Sequence, residues 1–278
     1  MSLKLMYITN QPEVACIAQA AGVDYVFIDM EYIGKDARQV GMDTVQCHHT
    51  IADICRVKEV LDKSELLVRI NPVHVASSDY ASTKEEVNAA IDAGADILML
   101  PMFRTMPEIE TFLNSVNGRA KAMLLAETPE ACSLLSEVAC MDEVYSVHIG
   151  LNDLHLALNK KFMFELLSDG FVERVTQPLR NAGKPFGFGG IARLGFGILP
   201  AEKVISEHYR LGSSQAILSR SFCNVDKMES IDTIEKLFHL EVAKIRKVEQ
   251  LYASYSMNEF EINRCEVIRL VQQVVGNK

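Results

Sequence analysis

Eight short apolar segments, separated by amphipathic ones, are the feature that most constrains how this chain can fold. Each apolar segment is nearly continuous rather than alternating, which is typical of strands buried on both faces of a parallel sheet. They occupy residues 4–9, 25–30, 65–71, 96–102, 121–127, 144–150, 185–192 and 215–222. The pattern predicts eight parallel strands joined by helices.

The intervening segments carry the end signals of helices. "PEVACIAQAAG", "PEIETFLNSVNG" and "PAEKVISEHYRLG" each have proline near the start and glycine at the end, an asymmetry that marks helix boundaries. Eight strand–helix units in a chain of this length predict the α/β class and a (β/α)8 TIM barrel. A doubly wound open sheet is the alternative.

Two regions depart from the simple repeat. Residues 31–50 form an unusually long connection, and long connections are often functional. We predict a barrel core over residues 1–228 and additional C-terminal helices over residues 229–278, the first of which closes the barrel. The last helix has apolar positions that need cover from a neighbouring subunit or from the barrel's own wall, and a homo-oligomer is therefore predicted. These positions are Val267, Leu270, Val271 and Val274.

Composition narrows the possible partners. The net charge of −9 is unlike a basic nucleic-acid surface, and no apolar run approaches the ~20 residues of a membrane span. The N-terminus lacks the pattern of a signal peptide, and the seven cysteines contain no C-x-x-C pair, which favours reduced thiols. We therefore predict a cytoplasmic protein that binds a small molecule, with no nucleic-acid or membrane partner.

Charged residues stand at the predicted carboxyl ends of several strands. They are Asp29 and Glu31, Arg69, Glu127 and Asp153. The chemistry of a TIM barrel collects at this edge, and a buried strand needs no charge at its exit. Each residue taken alone could be a cap or an ion-pair partner, and Glu127 could simply cap the helix that follows it.

The pair Glu127 and Asp153 indicates a metal site. Two carboxylates from neighbouring strands, with no His or Cys at the same level, form a hard oxygen site that suits Mg²⁺ or Mn²⁺ rather than zinc. A 2-oxo acid could fill the open positions of such a metal, which would polarise the ketone as a Lewis acid.

Five segments in order resemble the HpcH/HpaI aldolase and citrate lyase β-subunit family, of the phosphoenolpyruvate/pyruvate barrel superfamily. The segments are "GVDYVFIDMEY", "LLVRIN", "AGADILMLPM", "LLAETPEA" and "VHIGLNDL". The resemblance spans residues 4 to 223. It implies a divalent metal, a pyruvate-like group and the making or breaking of a carbon–carbon bond beside it.

The resemblance also implies roles for individual residues. Glu127, in "AET", and Asp153, in "IGLNDL", would be the metal ligands. The backbone from Gly150 to Asp153, near Asn152, would hold the substrate carboxylate. Arg69, in "VRIN", would bind the substrate and stabilise the enolate oxygen that develops on cleavage.

The chain departs from the family pattern at the proton-transfer group. Aldolases of the family usually read "IDxEH", where the His acts with the Asp, but this chain reads "IDMEY" with Asp29 and Tyr32. A tyrosine with its ordinary pKa near 10 is a poor base at neutral pH. His48 or His49 could fold back to supply the imidazole, or both could be solvated. Leu125 stands where aldolases commonly carry Gln.

Four further residues are weaker candidates for the functional site. We interpret His148 as a packing residue inside the barrel, whereas His155 lies just beyond Asp153. Arg193 and Arg220 follow the seventh and eighth strands, where barrels often bind phosphate, and could meet a second anionic group or form surface ion pairs.

Three hypotheses for function follow. The first is a metal-dependent carbon–carbon lyase, an aldolase that acts on a 2-oxo acid through a pyruvate-like enolate. The second is a citrate-lyase-like acyl-CoA lyase or thioesterase. The third is a non-catalytic paralogue that kept the metal and keto-acid site, and Tyr32 is the residue that favours it.

Overall fold

The computed structural model describes residues 2–34, 49–219, 222–225, 228 and 230–276. His48 and Arg220, two of the residues considered above, lie outside the described residues, as does most of the long connection 31–50.

Eight parallel strands pair in sequence order and close on themselves, so that β8 pairs with β1. The predicted TIM barrel is therefore confirmed. The strands are β1 Lys4–Ile8, β2 Tyr25–Asp29, β3 Glu65–Arg69, β4 Ile97–Leu100, β5 Lys121–Ala126, β6 Val144–Ile149, β7 Phe186–Ile191 and β8 Gln215–Leu218.

Helices follow the strands around the outside. They are α1 Pro12–Ala21, α2 Ile51–Lys58, α3 Thr83–Asp92, α4 Met106–Val116, α5 Pro129–Ser133, α6 Leu135–Val138, α7 Leu151–Ala157, α8 Glu165–Ser168, α9 Phe171–Asn181, α10 Ala201–Leu211, α11 Ile231–Tyr252 and α12 Met257–Gly276. Helix α1 ends at Gly22, which has φ of 94°, a conformation that costs glycine little.

The apolar residues form two clusters, one on each side of the strands. The inner cluster fills the barrel with Met6, Tyr25, Phe27, Leu67, Ile97, Met99, Met123 and Leu125. The larger outer cluster lies between the strands and the surrounding helices. Burial on both faces explains why the strands read as continuous apolar runs.

The two C-terminal helices pack on the barrel's own wall. Helix α11 lies against α1 and α10, while α12 lies against α10 and α8. Val267 and Val271 of α12 are buried, at 1% and 2% exposed. No helix among the described residues is long and apolar enough to cross a membrane.

Candidate functional site

The charged residues named above come together at the carboxyl-terminal mouth of the barrel. Asp29 and Arg69 are the last residues of β2 and β3, and they are direct neighbours in the register of these strands. Glu127 is the first residue after β5, and Asp153 lies in the first turn of α7, just after β6. The ends of two neighbouring pairs of strands, β2 with β3 and β5 with β6, therefore supply this group.

Arg69 is held by two carboxylates. Its Nε and Nη2 each donate to Asp29, both at 2.8 Å, and its Nη1 lies 3.3 Å from Glu31 Oε2. Burial lowers the pKa of Arg69, but Asp29 and Glu31 outweigh burial and raise the pKa well above its ordinary value. The guanidinium therefore stays charged, and its bidentate geometry fixes its orientation.

Glu31, which the sequence places at this edge without a role, is a second partner of Arg69. It lies in the same "IDMEY" segment as Asp29 and is 2% exposed. Its backbone N–H donates to Asp29 Oδ1 at 3.2 Å, and its carboxylate faces Arg69. A second buried acid in this segment was the available signal, because a buried charge is almost always paired.

Glu127 is a buried acid in a strongly acidic neighbourhood. It is 3% exposed, and its Oε1 accepts the N–H of Met102 at 3.1 Å. Burial and then Glu31 raise its pKa to about 8, an effect that Arg69 opposes and Asp153 adds to. A cation would stabilise the charged form of a carboxyl whose pKa is raised by burial and by acidic neighbours.

The first turn of the next helix is capped by Thr128 and not by Glu127. Thr128 Oγ1 accepts the N–H of Ala131 at 3.0 Å. The carboxylate of Glu127 therefore has no capping task and faces the mouth of the barrel with Arg69 and Asp153 as electrostatic neighbours.

Gly150 leaves space against Glu127. A Cβ atom at position 150 would lie 2.7 Å from Glu127 Cβ and 2.9 Å from Glu127 Oε2, so a larger residue would displace the carboxylate. The Gly150 N–H is used in donating to Ala126 O at 3.0 Å. Gly150 can thus contribute room to the site.

Helix α7 begins directly after Gly150. Its first N–H-to-carbonyl bond runs from Leu154 to Gly150 at 3.2 Å, and the N–H groups of its first turn point out of the start of the helix. Asn152 is exposed and Asp153 is half-buried. An anion at this position would meet backbone donors beside the Asp153 side chain.

The donor set fits a hard divalent cation. Glu127 and Asp153 offer carboxylate oxygens, which Mg²⁺ and Mn²⁺ prefer, and the pKa of Glu127 is raised by burial first and then by the Glu31 carboxylate. No group of three or more His, Cys, Asp or Glu within the described ranges is arranged as a complete metal site. Glu127 and Asp153 would be ligands from the protein, with other positions open to water and substrate.

His49 contacts the backbone at the end of β2, and Tyr32 directly follows the buried Glu31. His49 is 6% exposed, and its Nδ1 accepts the backbone N–H of Asp29 at 3.0 Å. This bond leaves the proton of a neutral imidazole on Nε2. Tyr32 is partly buried against the outer apolar cluster.

The remaining candidates lie at the edge of this arrangement. His148 is buried, its Nε2–H donates to Gly189 O at 3.1 Å, and burial lowers its pKa to about 4, so it is neutral. His155 Nδ1 bonds to Leu151 O at 3.2 Å within its own helix. The guanidinium of Arg193 stacks over the Phe196 ring at 4.3 Å.

The fold and this mouth define the class of protein: a (β/α)8 barrel with an acidic, arginine-containing site at the carboxyl ends of its strands. The HpcH/HpaI aldolase/citrate lyase family matches residues 4–191, more than half of the chain. The chain belongs to this family. No curated protein sequence matches it.

Solved structures share the fold at low sequence identity. An HpcH/HpaI aldolase/citrate lyase family protein from Burkholderia cenocepacia J2315 is 14% identical, with a TM-score of 0.59 over 84% of this chain and 95% of its own. CitE from Mycobacterium tuberculosis, in complex with magnesium and acetoacetate, is 15% identical, with a TM-score of 0.55 over 88% and 97%. Citrate synthase SbnG is 12% identical, with a TM-score of 0.58 over 90% and 95%.

Proposed function

We propose that the protein is a divalent-metal-dependent carbon–carbon lyase, an aldolase that cleaves or forms a 2-oxo acid aldol through a pyruvate-like enolate. The observation that carries the proposal is the convergence of Glu127 and Asp153 on the same mouth as a permanently charged Arg69. The acidic pair suits a metal, and the arginine suits the negative oxygen of an enolate. The family of the chain and the magnesium in the related CitE structure support it.

Glu127 and Asp153 would hold Mg²⁺ or Mn²⁺, whose chemistry is to polarise the ketone of the substrate. The backbone N–H groups near Asn152 and Asp153, with the space at Gly150, would hold the substrate carboxylate. Arg69, already oriented by Asp29 and Glu31, would stabilise the enolate oxygen. Such preorganised charge is often the largest single contribution to catalysis.

The proton-transfer group is proposed to be His49 rather than Tyr32. His49 is buried and its Nδ1 accepts the backbone N–H of Asp29, so an imidazole contacts the strand end that carries Asp29. Imidazole titrates near neutral pH, as a general acid or base should. Asp29 would act with it by fixing the position of Arg69.

The direct test is turnover of a panel of 4-hydroxy-2-oxo acids with Mg²⁺ or Mn²⁺, compared between wild type and Glu127→Ala. We expect metal-dependent release of pyruvate or a related keto acid, lost in the variant. Glu130→Ala is the matched control, because Glu130 is half exposed and pairs with Arg104 on the surface. No turnover across the panel, with metal affinity intact in Glu127→Ala, would rule the proposal out.

A citrate-lyase-like acyl-CoA lyase or thioesterase is the second candidate. Leu125, where aldolases commonly carry Gln, is buried in the inner apolar cluster, so its side chain offers no hydrogen bond to a substrate carboxylate. Activity on acyl-CoA substrates, absent with 2-oxo acid aldols, would select this candidate.

A non-catalytic paralogue that binds metal and keto acid is the third. It is favoured by the position of Tyr32, which packs against the outer cluster. Calorimetric binding of a keto acid without proton exchange at the pyruvate methyl in deuterated water would select it.

A cytoplasmic location and a homo-oligomeric state remain proposals from the sequence. Fractionation of cells that express the protein tests the first. Light scattering of the purified protein tests the second, for which we expect a mass at least twice that of the chain.

A further inference from the structure

The residue Asn71 connects the segment after β2 to the segment after β3. It lies two residues beyond Arg69 and is 4% exposed. Its Oδ1 accepts the backbone N–H of Tyr32 at 2.8 Å and that of Ile33 at 2.9 Å. One amide oxygen therefore fixes two consecutive peptide groups of the β2 segment.

The other end of the Asn71 amide is bound to Glu86 of α3. Asn71 Nδ2 donates to Glu86 Oε1 at 2.8 Å, and the Asn71 backbone N–H donates to the same oxygen at 3.2 Å. With N–H donors on one side and a carboxylate on the other, only one orientation of the amide satisfies both partners. Glu86 therefore sets which way the amide faces.

The segment that Asn71 fixes carries the acids of the site. Tyr32 and Ile33 directly follow Glu31, and the same segment holds Asp29. Both acids bind Arg69, and the N–H of Asp29 binds His49. A shift of the backbone at Tyr32 would therefore move the partners of Arg69 and His49 together.

From these contacts we infer that Asn71, oriented by Glu86, is a positioning residue for the proton-transfer side of the site. The inference rests on the proposed function. Asn71 acts through the backbone at Tyr32 and Ile33, which holds Asp29 and Glu31 in place. A displacement of about 1 Å in such an arrangement can lower a rate by about a hundredfold.

The test compares Asn71→Ala with variants that alter one end of the contact. Asn71→Asp keeps an oxygen for the two N–H groups but sets a second carboxylate against Glu86, and it serves if Asn71→Ala does not fold. Glu86→Ala removes the orienting group, while Glu86→Gln retains an acceptor. Asn88→Ala is the control, since Asn88 lies on the same helix and binds Arg119 instead.

Three quantities are measured on each variant. Amide hydrogen exchange at Tyr32 and Ile33 reports the contact itself. Proton exchange at the pyruvate methyl with Mg²⁺ in deuterated water reports the chemistry. Calorimetry with pyruvate and Mg²⁺ reports binding.

For Asn71→Ala we expect amide exchange at Tyr32 and Ile33 to be at least about tenfold faster, because two hydrogen bonds are lost. Methyl exchange should fall about tenfold to a hundredfold, with pyruvate affinity within about threefold of wild type. Asn71→Asp should fall between Asn71→Ala and wild type. Glu86→Ala should reproduce the loss, Glu86→Gln should recover much of it, and Asn88→Ala should match wild type.

If Asn71→Ala leaves amide exchange at Tyr32 and Ile33 unchanged, Asn71 does not fix these peptide groups. Faster amide exchange with a wild-type rate of methyl exchange would overturn the positioning role, as would an equal fall in rate and affinity. If wild type itself shows no methyl exchange, the proposed function fails and the catalytic part of this inference fails with it. Amide exchange then decides separately whether Asn71 fixes the β2 segment.

Discussion

At the scale of a single residue, Glu127 is destabilising in the charged form that the proposed metal site requires. Its carboxyl is buried beside Glu31 and Asp153, so its charged form is costly without a cation, and yet the proposed metal site needs that charged form. Functional residues are often held at such a cost to stability. The cost should be measurable as a dependence on pH.

We expect Glu127→Gln to stabilise the metal-free protein at pH 8. The folded-state pKa of about 8 exceeds the ordinary value near 4.5. The folded protein therefore binds a proton that the unfolded chain has released, and stability falls as pH rises between these values. The advantage of the variant should grow from near zero at pH 4 to ~2–4 kcal/mol at pH 8.

Denaturant unfolding in EDTA at pH 4, 6 and 8 gives these free energies. Saturating Mg²⁺ should then raise the stability of wild type but not of the variant. A difference between the two proteins that is constant with pH would contradict the assignment of the shift to Glu127.

A second prediction at this scale concerns His49 and Tyr32. Glutamine at position 49 can still accept the N–H of Asp29 but cannot transfer a proton. We expect His49→Gln to slow methyl proton exchange of pyruvate by about 10²–10⁴-fold and Tyr32→Phe to slow it less. A larger loss in Tyr32→Phe, measured by proton NMR in deuterated water, would reverse the assignment.

At the scale of elements, the junction of β6 and α7 leaves room for Glu127 at the proposed metal site. Gly150 has φ of −81°, a value open to any residue, so glycine is required there for space and not for backbone conformation. The space is taken by Glu127, which approaches from β5.

We expect Gly150→Ala to weaken Mg²⁺ binding by about tenfold or more, because the added Cβ overlaps Glu127. Gly190→Ala is the matched control at the same mouth, since its Cβ would make only an ordinary contact of 3.4 Å with Ser219. Calorimetric Mg²⁺ titrations of both variants make the comparison. Equal affinities would show that Glu127 is not the ligand.

At the scale of the whole molecule, α11 packs against both the first strand and the segment that follows the last strand. The Phe238 ring packs edge-on against the rings of Tyr7 of β1 and Phe222, with distances between ring centroids of 4.8 Å and 5.3 Å. Glu249 accepts the N–H of Leu3 at 2.6 Å. The helix therefore covers the seam where β8 meets β1.

Two truncations test where the fold is complete. We expect a chain ending at residue 228 not to unfold cooperatively, because the seam loses the cover of α11. A chain ending at residue 256 should retain a cooperative transition at a lower temperature, having lost α12. Circular dichroism melts distinguish them, and cooperative unfolding of the shorter chain would make residues 1–228 an independent unit.

A single substitution in α11 should reproduce part of the stability lost in the chain that ends at residue 228. Phe238→Ala should lower the free energy of unfolding by ~3–5 kcal/mol, as for large buried aromatic residues. Leu240→Ala is the control on the same helix, since Leu240 is 56% exposed. Urea denaturation measures both, and equal effects would mean that Phe238 does not close the seam.

The sequence by itself determined the barrel, because its signals are local: continuous apolar runs mark strands buried on both faces, and proline and glycine mark the starts and ends of helices. It also determined which edge carries the charge, since Arg69 and Glu127 directly end apolar runs.

Only the tertiary structure decided how these residues are paired. Asp29 binds Arg69 because the two residues are neighbours in the register of β2 and β3, and Glu31 is a second partner of Arg69. Asn71, bound to Glu86 of α3, holds the backbone that follows Glu31. Such contacts join residues 15 to 40 positions apart, and local pattern carries no information about that distance.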